Sequence, residues 1–186
     1  MQLTKTIHVL ALSLWFGSSV FFTFIAALVI FNTFGAVIEN GHPDRPAWFP
    51  ADLQKEQGVQ LGGLAVGPIF RWYFLLQGVC GVLALGTAAA WPKLEAQARL
   101  HRTRFIVLAL ALGTVVAGWP LVEKVSNLRA ARYAADSLIA AQAREVFGRW
   151  HTYSLLLNIV TILLVGVAVA MTTRLPQSRT AAQNQP

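Results

Sequence analysis

Four long stretches of the chain contain no Asp, Glu, Lys or Arg. They lie between Lys5 and Glu39, Arg71 and Lys93, Arg104 and Glu123, and Arg149 and Arg174. Each is at least as long as the roughly 18 to 20 apolar residues that cross the core of a bilayer. Because lipid satisfies no backbone polar group, a helix is the structure that such a stretch must adopt. The pattern therefore predicts transmembrane helices at residues 6–34, 69–91, 104–122 and 150–173.

These stretches predict an all-α fold, an antiparallel bundle of four transmembrane helices in one membrane domain that covers residues 1–175. Between the first two helices, residues 39–67 contain Pro43, Pro46 and Pro50 together with several glycines. Proline and glycine interrupt regular structure, so we predict an extramembrane loop here, with Pro68 at the start of the second helix. The polar residues 176–186 predict a disordered tail.

Residues 123–149 predict helix outside the lipid. This segment is rich in alanine, arginine and leucine, and it contains no proline and no glycine before Gly148. We expect the third helix to continue to residue 134, and the fourth to begin near Ser137 with Asp136 as its cap. The apolar positions spaced as contacts between these two helices are Val125, Leu128, Leu138, Ile139, Val146 and Phe147. The predicted result is a helical hairpin, a stalk that projects from one side of the membrane.

Composition agrees with a membrane protein and limits its partners. Hydrophobic residues make up 55% of the 186 residues and charged residues only 12%, against about 25% charged in a soluble domain. The net charge of +7 comes from the flanks of the helices and not from a separate basic block, so we predict the bilayer and not a nucleic acid as partner. A single cysteine, Cys80, forms no disulfide or cysteine zinc site within one chain.

The topology separates the histidines. Four crossings put both termini on one side of the membrane, and the density of Lys and Arg there predicts the cytoplasm. His8 opens the first helix on that side, whereas His151 opens the fourth helix on the other, about 30 Å away. We therefore expect no single metal ion or haem to be held by both. No metal-ligand spacing is present, and we predict no metal and no cofactor.

A polar stripe marks the candidate site. His151, Ser154 and Asn158 lie on one face of the fourth helix, since a helix turns 100° per residue. Arg71 and Gln77 on the second helix, and Glu123 and Lys124 on the third, are expected at a similar depth. Such polar residues form either interhelical hydrogen bonds or a site for a ligand or an ion, and the sequence leaves both readings open.

Secondary candidates lie on the first helix, where His8, Trp15 and Ser19 share the face that we expect inside the bundle. Small residues recur at a spacing of four on two other helices, as Cys80, Ala84 and Ala88 and as Ala109, Gly113 and Ala117. Such tracks allow close helix packing. They also make a homo-oligomer, or a partner membrane protein, possible.

The residues of two helices resemble the transmembrane protein 205-like family. The first helix has His8 followed by Trp15-Phe16-Gly17, Phe24 and Phe31, and the last has Phe147, Arg149-Trp150-His151, Ser154 and Asn158. The start of the second helix, Phe70-Arg71-Trp72-Tyr73-Phe74, is similar to that family but has Arg71 where the family usually has proline. The resemblance covers the four helices and not residues 42–67. It implies a four-helix integral membrane protein and no particular activity.

Three functions compete on the sequence. The chain has no His-Glu-x-x-His motif, no Gly-x-Ser-x-Gly motif and no acidic residue within the predicted helices, which favours a non-enzymatic binding or scaffold protein whose ligand is unknown. One alternative is a membrane oxidoreductase or porphyrin-related enzyme, suggested by analogy with small four-helix proteins that have a histidine near the start of the first helix. The other is a small-solute transporter that acts as an oligomer.

Overall fold

The structure is a computed structural model that describes residues 2–39, 42–47, 49–50, 55–91 and 98–174. Five α-helices account for most of this part of the chain. They are α1 (Gln2–Phe21), α2 (Ala27–Val37), α3 (Lys55–Ala89), α4 (Ala98–Ala131) and α5 (Ser137–Ala170). A π-helical turn, Phe22–Ala26, joins α1 to α2 in one continuous rod, and a 3₁₀ turn, Met171–Arg174, follows α5. The described residues contain no strand.

The predicted fold class is confirmed. Four helical rods are long and apolar enough to cross a membrane, namely Gln2–Val37, Glu56–Ala89, Arg99–Ala131 and Ser137–Arg174. Helix α1 packs against α3 and α5, and α4 packs against the same two helices. The four rods therefore form a closed antiparallel bundle, as in a polytopic membrane protein.

Small side chains allow the bundle to close around Trp15. The predicted track on α3 is confirmed, because Cys80, Ala84 and Ala88 are all buried. Trp15 is fully buried in the same cluster. A Cβ atom added at Gly81 would lie 2.9 Å from Cη2 of that indole, so the absence of a side chain there makes room for the ring.

The corresponding track on the third rod does not pack in the bundle. Ala109, Gly113 and Ala117 are exposed, and the buried face of α4 carries Leu108, Ala111 and Val115 instead. Both faces are apolar enough to lie inside, so hydrophobicity alone does not choose between them. Arg104 is fully buried on the same side of α4 as Leu108.

The second rod begins earlier than predicted, at Lys55 rather than residue 69. The glycine-rich segment that we assigned to the loop 39–67 is helical, and Pro68 lies inside α3. Its glycines pack closely against α2, since a Cβ at Gly58 would lie 2.6 Å from the Phe34 carbonyl oxygen and one at Gly62 would lie 3.0 Å from Phe31 Cδ1. Helix contact at these positions compensates for the poor helix propensity of glycine.

The helical hairpin predicted for the stalk is also observed. Helix α4 continues to Ala131, slightly short of residue 134, and α5 begins at Ser137. The Asp136 carboxylate caps α5 by accepting hydrogen bonds from the backbone N–H groups of Leu138 at 2.8 Å and Ile139 at 3.3 Å.

The contacts inside the stalk agree with the predicted ones only in part. Leu138 and Ile139 are exposed, whereas Ala140 and Ala143 are buried. Of the predicted contacts, Val125 is buried and Leu128, Val146 and Phe147 are half-buried, so only Leu138 and Ile139 point away. The predicted tail, residues 176–186, lies outside the described residues.

Candidate functional site

The seven residues predicted for the site fall into three separate environments. Arg71, Glu123, Lys124 and Ser154 line a surface groove. Gln77 and Asn158 belong to a buried hydrogen-bonded network. His151 stands apart from both, because its ring stacks on Phe147.

The groove runs along the contact between α3 and α4. Its central part has a volume of about 220 Å³ and is walled by the aromatic rings of Phe70, Phe74 and Trp119. Arg71 and Glu123 line the same part, and neither makes an ion pair with another described residue. The groove therefore combines an apolar wall with two opposite charges.

Two further recesses continue this groove. One, of about 510 Å³, is lined by Glu123, Lys124 and Asn127. The Lys124 ammonium lies 3.6 Å from the centroid of the Trp150 ring, a cation–π contact. The other recess, of about 30 Å³, is lined by Ser126, Arg129 and Ser154. Shared lining residues connect all three, so α3, α4 and α5 each contribute to one continuous surface, which we call the α3–α4 groove.

The buried network joins three rods. Tyr73 donates a hydrogen bond to Asn158 Oδ1 at 2.9 Å, and Asn158 Nδ2 donates to Thr23 Oγ1 at 2.8 Å. One turn away, Gln77 Nε2 donates to Ser19 Oγ at 2.9 Å, and the Ser19 hydroxyl donates to the Trp15 carbonyl oxygen at 2.7 Å. Polar groups in lipid need protein partners, and here α1, α3 and α5 supply them to one another.

Sequence reasoning did not include Tyr73 in the site. An aromatic residue at the start of a predicted membrane helix, as Tyr73 is, is typical of an interfacial anchor. The missed signal is its spacing of four from Gln77, which places both side chains on one face of α3. Tyr73 is buried whereas its neighbour Trp72 is 68% exposed, so only Trp72 has the exposure that an interfacial anchor requires.

The predicted stripe on the fourth helix is not a single site. Asn158 is held in the buried network, Ser154 lines the smallest recess, and His151 stacks on Phe147 with ring centroids 5.3 Å apart and an interplanar angle of 9°. Residues on one helical face meet different neighbours at successive turns, because α5 contacts both α1 and α4.

A second polar cluster lies at the opposite end of the bundle, around the secondary candidate His8. His8 Nδ1 lies 3.1 Å from the Ala84 carbonyl oxygen and 2.8 Å from Thr87 Oγ1. A carbonyl oxygen only accepts, which assigns the proton of the neutral ring to Nδ1. The His8 ring also contacts Trp91 edge to face, with centroids 4.7 Å apart.

Arg104 completes this cluster. It is fully buried, its guanidinium lies 5.7 Å from the centroid of the Trp91 ring, and its Nη2 donates to the Arg174 carbonyl oxygen at 3.2 Å. The predicted helices 69–91 and 104–122 end at Trp91 and begin at Arg104, and neither residue was predicted to belong to a site. No regular spacing joins residues 8, 91 and 104, so only the folded bundle reveals the cluster. Ser19 and Trp15, the other secondary candidates, belong to the buried network described above.

Within the described residues, no group of three or more His, Cys, Asp or Glu side chains could hold a metal ion. The fold and the site thus define a class, a four-helix bundle of the membrane type with a mixed polar and aromatic groove. Comparisons with models of protein families, with curated proteins and with solved structures found no match to this chain. The resemblance to the transmembrane protein 205-like family stays a prediction from the residues.

Proposed function

We propose that this chain is an integral membrane protein that binds an amphiphile in the α3–α4 groove without transforming it chemically. The observation that carries the proposal is the central part of the groove, where Arg71 and Glu123 lie beside Phe70, Phe74 and Trp119. Amphiphile sites in proteins combine an apolar wall with a few polar groups that orient the ligand.

The charges of the groove indicate a zwitterionic head. The Arg71 guanidinium can take a phosphate through paired hydrogen bonds. The Glu123 carboxylate can accept hydrogen bonds from an ammonium group. A lipid head that carries both groups, such as phosphoethanolamine, uses both side chains, while the lipid tail lies against the aromatic wall.

Exchanging each charge for a neutral amide tests this proposal. Full-length protein in detergent is mixed with phosphatidylethanolamine, and bound lipid is measured by native mass spectrometry. Arg71→Gln and Glu123→Gln should each weaken binding about tenfold, since a hydrogen bond to a charged group contributes roughly 1.5–3 kcal/mol. Arg144→Gln is the matched control, because Arg144 is exposed and does not line the groove.

Two outcomes would overturn the proposal. The first is binding that is unchanged in both groove variants. The second is purified protein with a stoichiometric Soret absorption band, which would favour the porphyrin-related alternative.

We further propose that both termini lie in the cytoplasm. The Lys and Arg residues on the side of the termini are Lys5, Lys93, Arg99, Arg102, Arg104, Arg174 and Arg179. They lie in a shorter length of chain than those of the other side, which supports this orientation. In a Cys80→Ser background, a membrane-impermeant maleimide applied to intact cells should label Ala135→Cys at the stalk tip but not Gln183→Cys. The reverse labelling would contradict the orientation.

Self-association is the remaining part of the proposal. The exposed face of α4 carries Ala109, Gly113 and Ala117 at a spacing that suits close packing of two helices. Substitution of Gly113 by Ile should then shift a dimer to monomer in analytical ultracentrifugation in detergent. Wild-type protein that sediments as a monomer would exclude a dimer formed under these conditions.

A further inference from the structure

Three basic side chains gather where the stalk joins the bundle. Arg129 Nη1 donates a hydrogen bond to the Gly63 carbonyl oxygen at 2.7 Å, which ties the end of α4 to α3. The Arg132 guanidinium lies 4.5 Å from the centroid of the Phe147 ring. His151 stacks on the same phenylalanine. All three basic residues are half-buried.

Among the described residues, no ion pair joins Arg129, Arg132 or His151 to a carboxylate. Arg129 and Arg132 repel each other, and together with burial they disfavour the charged form of His151. The ion pair that the structure contains on the stalk joins Arg149 to Glu145 instead, and Asp136 is engaged in capping α5. Like charges held together in a partly desolvated place are unfavourable, so the cluster should attract an anion.

Polar groups around the cluster can donate hydrogen bonds to that anion. Arg132 Nε is buried and has no hydrogen-bond partner among the described residues. Ser126 and Ser154 line a recess of about 30 Å³ beside Arg129. That volume is about the share of one water molecule in the liquid, which suits an oxygen atom of a larger anion whose remainder lies outside.

Glycines on α3 make the position of Arg129 possible. A Cβ atom at Gly63 would lie 3.0 Å from Arg129 Cδ, and one at Gly67 would lie 3.7 Å from its Nη1. The side chain therefore lies directly on the backbone of α3, and its guanidinium is fixed by the hydrogen bond to Gly63. A fixed guanidinium loses little conformational entropy when it binds a ligand.

We propose that Arg129, Arg132 and His151 bind a phosphate group at the base of the stalk. Two or more planar guanidinium groups with additional hydroxyl donors match the tetrahedral array of phosphate oxygens. The phosphate comes either from a lipid head or from free phosphate, since both offer the same oxygens. The site uses the end of the α3–α4 groove at Arg129 and Ser154, whereas the zwitterionic ligand proposed above is held by Arg71 and Glu123 in the central part of the groove.

The test uses the full chain in detergent and three probes. Inorganic phosphate is titrated by isothermal calorimetry, and phosphatidic acid is compared with diacylglycerol, which has the same tails and no phosphate, by native mass spectrometry. Binding of inorganic phosphate would support the site and assign it to the free ion. Preference for phosphatidic acid over diacylglycerol, without binding of inorganic phosphate, would support it and assign it to a lipid head. Binding of neither phosphate probe would overturn the proposal.

Variants then locate the site. Arg132→Gln should weaken phosphate binding about tenfold or more, as expected for loss of a hydrogen bond to a charged group. Arg129→Lys keeps the charge but removes the planar fork, and it should weaken binding even though the bundle still folds. Arg144→Gln, on the stalk and outside the cluster, should have no effect. Equal weakening by Arg144→Gln would reduce the binding to general charge attraction and overturn the proposal.

Discussion

The carboxamide of Asn158 should be the most sensitive polar group of the bundle. It makes two hydrogen bonds between rods, one with Tyr73 at 2.9 Å and one with Thr23 at 2.8 Å. Double-mutant cycles in a membrane protein give such bonds about 0.6 kcal/mol on average and about 1.7 kcal/mol at most. Asn158→Leu, which keeps the branching and the number of side-chain heavy atoms and removes both bonds, should therefore lower the free energy of unfolding by about 1–3 kcal/mol. Tyr73→Phe removes one bond and should cost about half as much.

The coupling between these two substitutions is the sharper quantity. Unfolding is followed in mixed micelles by titration with a denaturing detergent, with fluorescence of the six tryptophans as the signal. Because Tyr73 and Asn158 share one hydrogen bond, the double variant should be more stable than additivity predicts by about 0.6 kcal/mol or more. His151→Leu is the control, since His151 packs on Phe147 outside the network, and its effect should add to that of Asn158→Leu within about 0.5 kcal/mol. Coupling to His151 as large as coupling to Tyr73 would refute the separation of the two environments.

Two further substitutions test packing and capping. Gly81→Ala should destabilise the bundle by about 1–3 kcal/mol in the same titration, because the new methyl group would lie 2.9 Å from the buried Trp15. The control is Gly78→Ala, which has no neighbouring atom within 4 Å and should not destabilise the bundle. Equal effects of the two substitutions would contradict the packing around Trp15. Asp136→Ala should speed hydrogen exchange of the Leu138 and Ile139 amides about fivefold, since loss of a cap costs about 1 kcal/mol. Ser137→Ala, next to the cap, should leave both amides unchanged, and unchanged exchange in Asp136→Ala would argue against the cap.

The number and direction of the rods could be predicted because each depends on local sequence. A long stretch without charge fixes a crossing, and Asp136 followed by a helix-forming segment fixes the turn of the stalk. The start of α3 could not be predicted in this way. Its glycines favour a loop in isolation, and they are helical here because α2 lies close enough to require them, at 2.6 Å from the position of a Gly58 Cβ.

The sequence predicts which polar residues of the candidate site face inward, but it does not predict which of them contact one another. Periodicity placed Gln77 and Asn158 on inward faces, and both lie there. Periodicity does not show that Tyr73 on α3 bonds to Asn158. A tyrosine near the end of an apolar stretch is as typical of a membrane interface as of a protein core. The partners of Arg129 and Arg104 lie on other rods, at Gly63 and Arg174, and spacing within one helix carries no information about such contacts.

The π-helical turn explains why the polar network lies where it does. Helix α1 packs against both α3 and α5, whereas α2, beyond the turn, packs against α3. The turn Phe22–Ala26 therefore marks the point where the first rod leaves α5. There, Phe22 stacks on Tyr73 with ring centroids 4.5 Å apart, and the next residue, Thr23, bonds to Asn158 on α5. A π-helical turn interrupts the regular backbone hydrogen bonding of an α-helix and is common at functional sites. Tyr73 contacts both Phe22 and Asn158, so a change of the network at Asn158 would alter the contacts of the π-helical turn. Because α2 follows that turn, the change would also reach the contact of α2 with the glycines of α3.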